Sequence, residues 1–304
     1  MKINLKSISK KSLQIVWNNP ILWLFGIFAS LFITNRISLA LLNINKVISW
    51  IENLMTLQIL QDSFQFSLNL VNNLTSLPLY NLIIIISFII IPLYIAILSQ
   101  VIIISYISQL KTTPKKDLKL GKIFKNSHKS IWKIILVYTL SILITFIIFY
   151  LFKISFKFAL SIPILYYIIT FILISLIIGL IIRFIILTII IEKKKFFPAI
   201  QKGWLIFWKN FFQIIKTSLF LFFITFLFGL ALLLISSVIA FPFTLIIILF
   251  LYIKSDIGFH ILTIIWPIIQ TIITTLFIAM FSVFQYSIWT NFYHKINPFK
   301  NKWK

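Results

Sequence analysis

The chain contains no cysteine and only six glycines among its 304 residues. Without cysteine it forms no disulfide, and it has no thiolate that could act as a nucleophile or a metal ligand. The glycines form no GxGxxG or Walker pattern, so the sequence lacks the loops that cradle phosphates in nucleotide-binding proteins. These absences argue against a thiol enzyme and against a self-contained ATPase.

Acidic residues are nearly as scarce, with five against 28 lysines and arginines. All five lie in the flanks or connections of apolar runs, so a relay of carboxylates in mid-membrane is not expected. Asp117 and Glu192 each lie among lysines, and both are predicted to be solvated. The three histidines have no metal-ligand spacing. The sequence therefore predicts no catalytic residue, no metal and no cofactor.

Apolar residues, in contrast, make up 61% of the chain, charged residues only 11%, and the mean hydropathy is +1.08. A soluble domain averages about 45–50% apolar and 25% charged residues, and it could not bury this much apolar surface. The net charge of +23 comes from lysines in short patches between apolar runs. That pattern suits an anionic leaflet better than nucleic acid. We therefore expect an all-α integral membrane protein of the plasma membrane, with lipids as partners and no nucleic acid.

The apolar runs predict about six transmembrane helices, since a span needs about 20 apolar residues. The first run is bulky and aromatic, which favours an uncleaved span over a signal peptide. The fifth run, 218–253, would reach about 54 Å as one straight helix. Part of it, 239–253, is therefore expected to be a kinked or re-entrant extension near Pro242, packed within protein. The predicted spans are 21–42, 82–110, 131–152, 164–191, 218–238 and 261–286.

The lysines also predict the orientation in the bilayer. With a cytoplasmic start, the segments predicted to lie inside carry 21 cations and those outside carry five. The positive-inside rule then places both termini in the cytoplasm. Residues 43–81 become an extracytoplasmic segment, and the apolar spacing in its first part predicts an amphipathic helix on the outer interface.

Three segments predicted to approach the membrane from the cytoplasm share one pattern. Aligned without gaps, a small residue is followed four positions later by an apolar residue and then by Trp. Lysine and Trp on a short amphipathic helix are typical of an anchor in the inner leaflet. We expect three helical hairpins, each preceded by such a helix, although Trp and Lys favour interfaces in any membrane protein. The aligned residues are Ser12, Ser127 and Gly203, then Val16, Ile131 and Phe207, then the anchors Trp17, Trp132 and Trp208.

One of these segments carries a family resemblance. The stretch IEKKKFFPAIQKGWLIFWKNFFQII (Ile191–Ile215) and the aromatic ending Tyr286–His294 resemble a broad, poorly characterised prokaryotic membrane family. That family includes the membrane domain attached to some glycerophosphoryl diester phosphodiesterases. It shows a span ending in an acidic residue, an alanine-containing amphipathic helix and a further span. The catalytic domain of such fusions is a separate soluble module with no match in these 304 residues, so the resemblance implies a membrane module without catalytic residues.

A few charged residues are candidates for contact with lipid or another anion. Arg183 lies within a predicted span, where a charge costs about 2.5–3.5 kcal/mol. It could bind a lipid phosphate or an anionic substrate, or it could reach the interface by snorkelling or bond to carbonyls near a helix break. Lys133 and Lys209, beside Trp132 and Trp208, are further candidates.

Polar residues at helical spacing could line a polar cavity. Such residues more often join helices, at about 0.6 kcal/mol per contact. The candidates are Gln100, Tyr138, Ser141, Thr145, Gln270 and Thr274.

The leading functional hypothesis is a non-enzymatic module that scaffolds a membrane protein partner or organises lipid at the inner leaflet. The rival is a transporter or permease subunit for a lipid or small solute. That reading would use the polar faces and an irregular fifth span, a feature that marks substrate sites in some transporters.

Overall fold

A computed structural model of the chain describes residues 4–30, 79–111, 120–158, 164–253 and 256–297. Within these ranges the secondary structure consists of eight α-helices and no strand. The described part of the protein is therefore all-α, as predicted. The helices are α1 (Leu5–Asn18), α2 (Ile21–Ser30), α3 (Leu79–Gln109), α4 (Leu120–Phe158), α5 (Ile164–Glu192), α6 (Phe196–Lys209), α7 (Phe211–Tyr252) and α8 (Asp256–Ile296).

Five of these helices are long and apolar enough to cross a membrane, so the protein is membrane-embedded and multi-pass. The first predicted span, 21–42, is described only as far as Ser30, the end of α2. Its remainder, and residues 43–78 of the predicted outer segment, lie outside the described residues. The count of six spans and the orientation therefore stay predictions. The five apolar stretches are Ile90–Gln109, Leu120–Ile148, Leu173–Glu192, Phe211–Phe250 and Ile264–Ile296.

The fifth apolar run forms one uninterrupted helix. Helix α7 passes through Pro242 and is about 63 Å long at 1.5 Å per residue. A membrane helix tolerates such a proline because neighbouring groups can satisfy the freed carbonyl. No re-entrant turn interrupts residues 211–252, and the part of α7 that lies in the bilayer stays a prediction.

The second aligned segment is not a separate helix, in contrast to the first and third. Asn19 and Asn210 follow α1 and α6, and each amide donates to the carbonyl four residues earlier, at 2.8 and 3.0 Å. These bonds satisfy carbonyls left open where a helix ends. The aligned residue in the second segment is Ile134, which is apolar and buried. It offers no such amide, and α4 continues through it.

The buried core lies at one end of the bundle. Its side chains come from α1, α2, α6, the first parts of α4 and α7, and the C-terminal halves of α3, α5 and α8. In the most apolar stretches of α3 and α5, 61% and 50% of residues are buried, against 6% in α7. We refer to this region as the packed end. Most side chains of α7 are exposed and apolar, as expected of a surface that faces lipid.

The helices that carry the three aligned segments pack on α3, α5 and α8. Helix α1 packs against α8, α6 against α5, and α4 against both α5 and α3. The three supporting helices, α3, α5 and α8, also contact one another. Helices α3, α5 and α8 are therefore a central group on which the helices of the aligned segments pack.

Candidate functional site

The inner faces of the aligned segments match position by position. Four residues before and four residues after the small residue, each segment places a buried side chain. Eight of these nine residues are at most 2% exposed, and Gly203 is buried as well. The sequence alignment therefore reflects a common orientation of the three segments. The nine residues are Ile8, Ser12 and Val16, then Ile123, Ser127 and Ile131, then Ala199, Gly203 and Phe207.

The small residue at the centre of each face permits close contact. A Cβ atom at Gly203 would lie 2.9 Å from the Cα of Ile185, so α6 approaches the backbone of α5. Ser12 Oγ accepts a 3.0 Å hydrogen bond from Asn291 Nδ2 and joins α1 to α8. A larger residue at either position would separate the segment from its supporting helix.

The outer faces expose aromatic and basic side chains. Trp17, Trp132 and Trp208 are 58%, 70% and 51% exposed. On α6, Trp208 lies 5.7 Å from the ring of Trp204 and stacks on Phe211 at 5.6 Å. An open groove on this face is lined by Gln201, Trp204, Leu205, Trp208 and Lys209. Lys209 is exposed, so the surface combines apolar rings with cations, as interfacial anchors do.

A cluster of cations lies where α1 meets the ends of α3 and α8. Lys111 interacts electrostatically with Lys11 and Lys295, and nearby Ser108 Oγ lies 3.1 Å from His294 Nε2. Desolvation of the amine and then repulsion by the two lysines lower the pKa of Lys111 from 10.5 to about 8. The lysines thus repel one another, and an anion bound between them would relieve that repulsion.

Glu192 is buried, and the prediction of a solvated residue was wrong. Its side chain is 1% exposed, and Oε2 accepts from Lys202 Nζ at 2.7 Å. Oε1 accepts from the hydroxyl of Tyr293 at 2.7 Å and from Asn297 Nδ2 at 2.6 Å. The carboxylate therefore joins the end of α5 to α6 and to the end of α8. The acidic residue at the end of a span in the family pattern was the available signal for this role.

The turn after Glu192 is held by a further contact. Lys193 has a positive φ of 54°, a left-handed conformation that turns the chain between α5 and α6. Lys133, a sequence candidate for binding lipid or another anion, donates a 3.4 Å hydrogen bond to the Lys194 carbonyl. Lys133 is thus placed at the packed end, where its amine joins α4 to this turn.

Arg183 lies inside the bundle, beside aromatic side chains. Its Cζ atom is 5.1 Å from the centre of the Trp289 ring, a cation–π contact between α5 and α8. The guanidinium also interacts electrostatically with Tyr286 and Tyr138. In the described part of the chain, both ion pairs involve Glu192 and none involves Arg183. The sequence identified Arg183 but gave no sign of Trp289, because the two are 106 positions apart.

The polar residues proposed for one cavity lie in separate places. The Tyr138 hydroxyl donates to Gln100 Oε1 at 2.7 Å and joins α4 to α3. Gln270 Nε2 donates to Ser236 Oγ at 3.0 Å and joins α8 to α7. Thr145 and Thr274 bond to carbonyls one turn back in their own helices, those of Ser141 and Gln270.

The space beside Gln270 and Thr274 is small. A cavity of about 10 Å³ lies between α7 and α8, room for about one water molecule. Among the described residues, these polar side chains therefore bridge helices or bond within them.

The fold and these contacts define a multi-pass α-helical membrane protein with a packed end built from three similar segments. Comparison with protein families, with curated proteins and with solved structures finds no match for the chain. The resemblance on residues 191–215 therefore enters the functional proposal as a resemblance alone.

Proposed function

We propose that the protein is a non-enzymatic membrane module that organises anionic lipid at the cytoplasmic face of the plasma membrane. The observation that carries this proposal is the common orientation of the three aligned segments. Each buries the same face in the bundle and exposes Trp on the other. In this proposal the chain forms six spans in three hairpins, like the free-standing modules of the family it resembles, and both termini are cytoplasmic.

The exposed surface has the chemistry of a lipid interface. Indole rings favour the headgroup level, and each lysine near an anionic leaflet contributes about 1 kcal/mol of attraction. Every aligned segment carries exposed lysines, among them Lys11, Lys129 and Lys209. Three such contacts around one bundle would attract anionic lipids from several sides. The same surface could hold a membrane protein partner, which the scaffold form of the proposal requires.

Transport of a lipid or small solute is the second candidate, and the described contacts favour it less. A transport path needs polar groups along one continuous cavity. Gln100 and Tyr138 bond to each other, whereas Gln270 lies between α7 and α8 beside a space for about one water. Flux through reconstituted vesicles that Gln270→Leu abolishes would favour transport over lipid organisation.

Lipid selectivity tests the leading proposal. The full chain is reconstituted in vesicles of phosphatidylglycerol and phosphatidylcholine, and the motionally restricted fraction of each spin-labelled lipid is measured. We expect restriction of phosphatidylglycerol to exceed that of phosphatidylcholine. The combined variant Lys11→Gln, Lys129→Gln and Lys209→Gln should lose this preference, because the attraction is electrostatic.

A matched control replaces exposed apolar residues far from the packed end. Val238→Ala and Leu245→Ala alter the exposed surface of α7 without changing charge, and they should keep the preference for phosphatidylglycerol. Equal restriction of the two lipids by the unmodified protein would refute the proposal. If the triple lysine variant keeps the preference for phosphatidylglycerol, the lysines of the aligned segments are not its source.

A further inference from the structure

Arg183 is a cation that has no hydrogen-bond acceptor among the described residues. Its guanidinium carries five N–H donors in a fixed plane. In the described part of the chain it makes no hydrogen bond and no ion pair, and its polar surroundings are Tyr286, Tyr138 and the Trp289 ring. The cation–π contact supplies about 0.5–2 kcal/mol. It satisfies none of the five donors.

The ring beneath Arg183 has an unsatisfied donor of its own. Trp289 is 2% exposed, and its Nε1–H has no hydrogen-bond partner among the described residues. A buried indole N–H normally finds an acceptor, and leaving one unpaired costs about 1–3 kcal/mol. Two donor groups without acceptors therefore lie together on α5 and α8. The neutral indole N–H and the cationic guanidinium could both be satisfied by one acceptor that has several oxygens and a negative charge.

The location limits which acceptor can enter. Arg183 is nine residues before Glu192, about 13 Å along α5 from the last residue of that helix. Arg183 is partly buried, so part of its surface is open to a ligand. The Tyr138 hydroxyl donates its proton to Gln100 and is neutral, so it does not balance the charge of the guanidinium. A ligand here would meet N–H donors set among aromatic rings.

We propose that Arg183, with Trp289 and Tyr286, forms a binding site for a phosphate-type oxyanion within the bundle. Arg pairs with phosphate through two parallel N–H···O bonds, and a further oxygen would accept from the indole N–H. The phosphate belongs either to a phospholipid headgroup or to a free phosphate. The site uses none of the exposed Trp and Lys residues of the aligned segments. It goes beyond the proposed function, and each can fail without the other.

Two measurements on the full chain in a neutral detergent test the site. The first is the amount of phosphatidylglycerol that stays bound through purification, determined by native mass spectrometry. The second is the shift of the unfolding temperature when inorganic phosphate is added to delipidated protein. Arg183→Met removes the donors and keeps an unbranched apolar side chain. Lys216→Met, at an exposed lysine on α7, removes the same charge elsewhere and is the matched control.

If the site takes a lipid headgroup, Arg183→Met should lower retained phosphatidylglycerol about tenfold, the effect of losing charge-assisted hydrogen bonds. Lys216→Met should leave retention unchanged. If it takes free phosphate, phosphate should raise the unfolding temperature of the unmodified protein and of Lys216→Met, but not of Arg183→Met. Should Arg183→Met not fold, Trp289→Phe keeps the ring, removes the N–H and should weaken the same response.

The proposal is overturned if the unmodified protein neither retains phospholipid nor responds to phosphate. It is equally overturned if Arg183→Met, or Trp289→Phe in its place, matches the unmodified protein in both measurements. The triple lysine variant of the aligned segments should keep the Arg183 response. Loss of lipid preference in that variant with an intact Arg183 response would support the two sites separately.

Discussion

Glu192 illustrates how a residue's neighbours in the sequence can mislead. Three lysines follow it directly, which indicated a solvated and screened charge. In the structure its carboxylate instead accepts from Lys202, Tyr293 and Asn297. Two of these partners lie about a hundred positions away, and no local pattern reveals such a contact. The sequence places Glu192 at the end of an apolar run, but it does not reveal that the carboxylate is buried.

The two lysines that pair with Glu192 should contribute unequally to stability. Lys202 Nζ lies 2.7 Å from the carboxylate and Lys194 Nζ 3.9 Å. We expect Lys202→Gln to lower the free energy of unfolding by about 1–3 kcal/mol, since a buried carboxylate loses a charged donor. Lys194→Gln is the control and should cost less than about 1 kcal/mol. Unfolding temperatures in detergent measure both variants. Equal losses would show that the shorter ion pair stabilises the protein no more than the longer one.

Lys111 should give the packed end a dependence on pH. Its folded pKa, about 8, is below the ordinary value of 10.5, so between these values the unfolded chain binds more protons than the folded one. Stability should therefore rise as the pH is raised through this window. The groups that face Lys111 are Lys11 on α1 with His294 and Lys295 on α8.

The rate at which acetic anhydride labels Lys111, followed by mass spectrometry across this pH window, reports its pKa. Lys11→Gln removes one repulsion and should raise the pKa of Lys111, moving its labelling curve to higher pH. Lys209→Gln, on α6, should leave the curve in place. A curve centred near 10.5 in the unmodified protein would contradict the expected repulsion.

At the scale of elements, the residues that align in the sequence of the three segments also share buried and exposed faces. Small and apolar residues at fixed spacing lie inward, and Trp lies outward, because a helix that packs on one side gives each position a fixed face. The helix boundaries, in contrast, differ between the three segments. Asn19 and Asn210 end their helices with side-chain bonds, whereas Ile134 lets α4 continue. The identity of one residue therefore decides whether the segment and the following span form one helix or two.

Gly203 should be among the least replaceable residues of α6. An added Cβ would lie 2.7 Å from Ile185 Cγ1 and 2.9 Å from its Cα, and a backbone atom cannot move aside as a side chain can. We expect Gly203→Ala to destabilise the protein by about 1–3 kcal/mol through overpacking. Gly229→Ala on α7 meets no atom within 4 Å and should be neutral or stabilising, since alanine favours helix by up to about 1 kcal/mol. Thermal unfolding of both variants in one detergent makes the comparison, and equal stability would contradict the close contact of α6 with α5.

At the scale of the whole molecule, the apolar runs predicted where the long helices lie but not how far they extend. Helix α5 begins and ends within one residue of its apolar run, whereas α4, α7 and α8 continue well beyond theirs. Apolar runs identify spans because a helix needs about 20 apolar residues to cross the hydrocarbon core. The helix itself can continue into polar flanks at little cost. The concentration of the core at one end was not predictable, because it depends on contacts between distant helices.

The predicted orientation can be tested with reporter tags. Tags after Leu110, after Glu192 and after Lys304 should all be found in the cytoplasm, because the lysine-rich connections are predicted to stay inside. A tag in the predicted outer segment, after Asn73, should be found outside and serves as the control. Any of the first three tags found outside would overturn both the six-span count and the cytoplasmic position of the aligned segments.

The contact between α1 and α8 has a consequence for biogenesis. Asn291 supplies the hydrogen bond to Ser12, so the first described helix docks on one that the ribosome produces nearly three hundred residues later. Until then α1 lacks its contacts with α8, although Asn19, which follows α1, can already accept from the Tyr106 hydroxyl of α3. The contact of α1 with α8 therefore forms late in synthesis, and a chain stalled before α8 would leave Ser12 without the amide of Asn291.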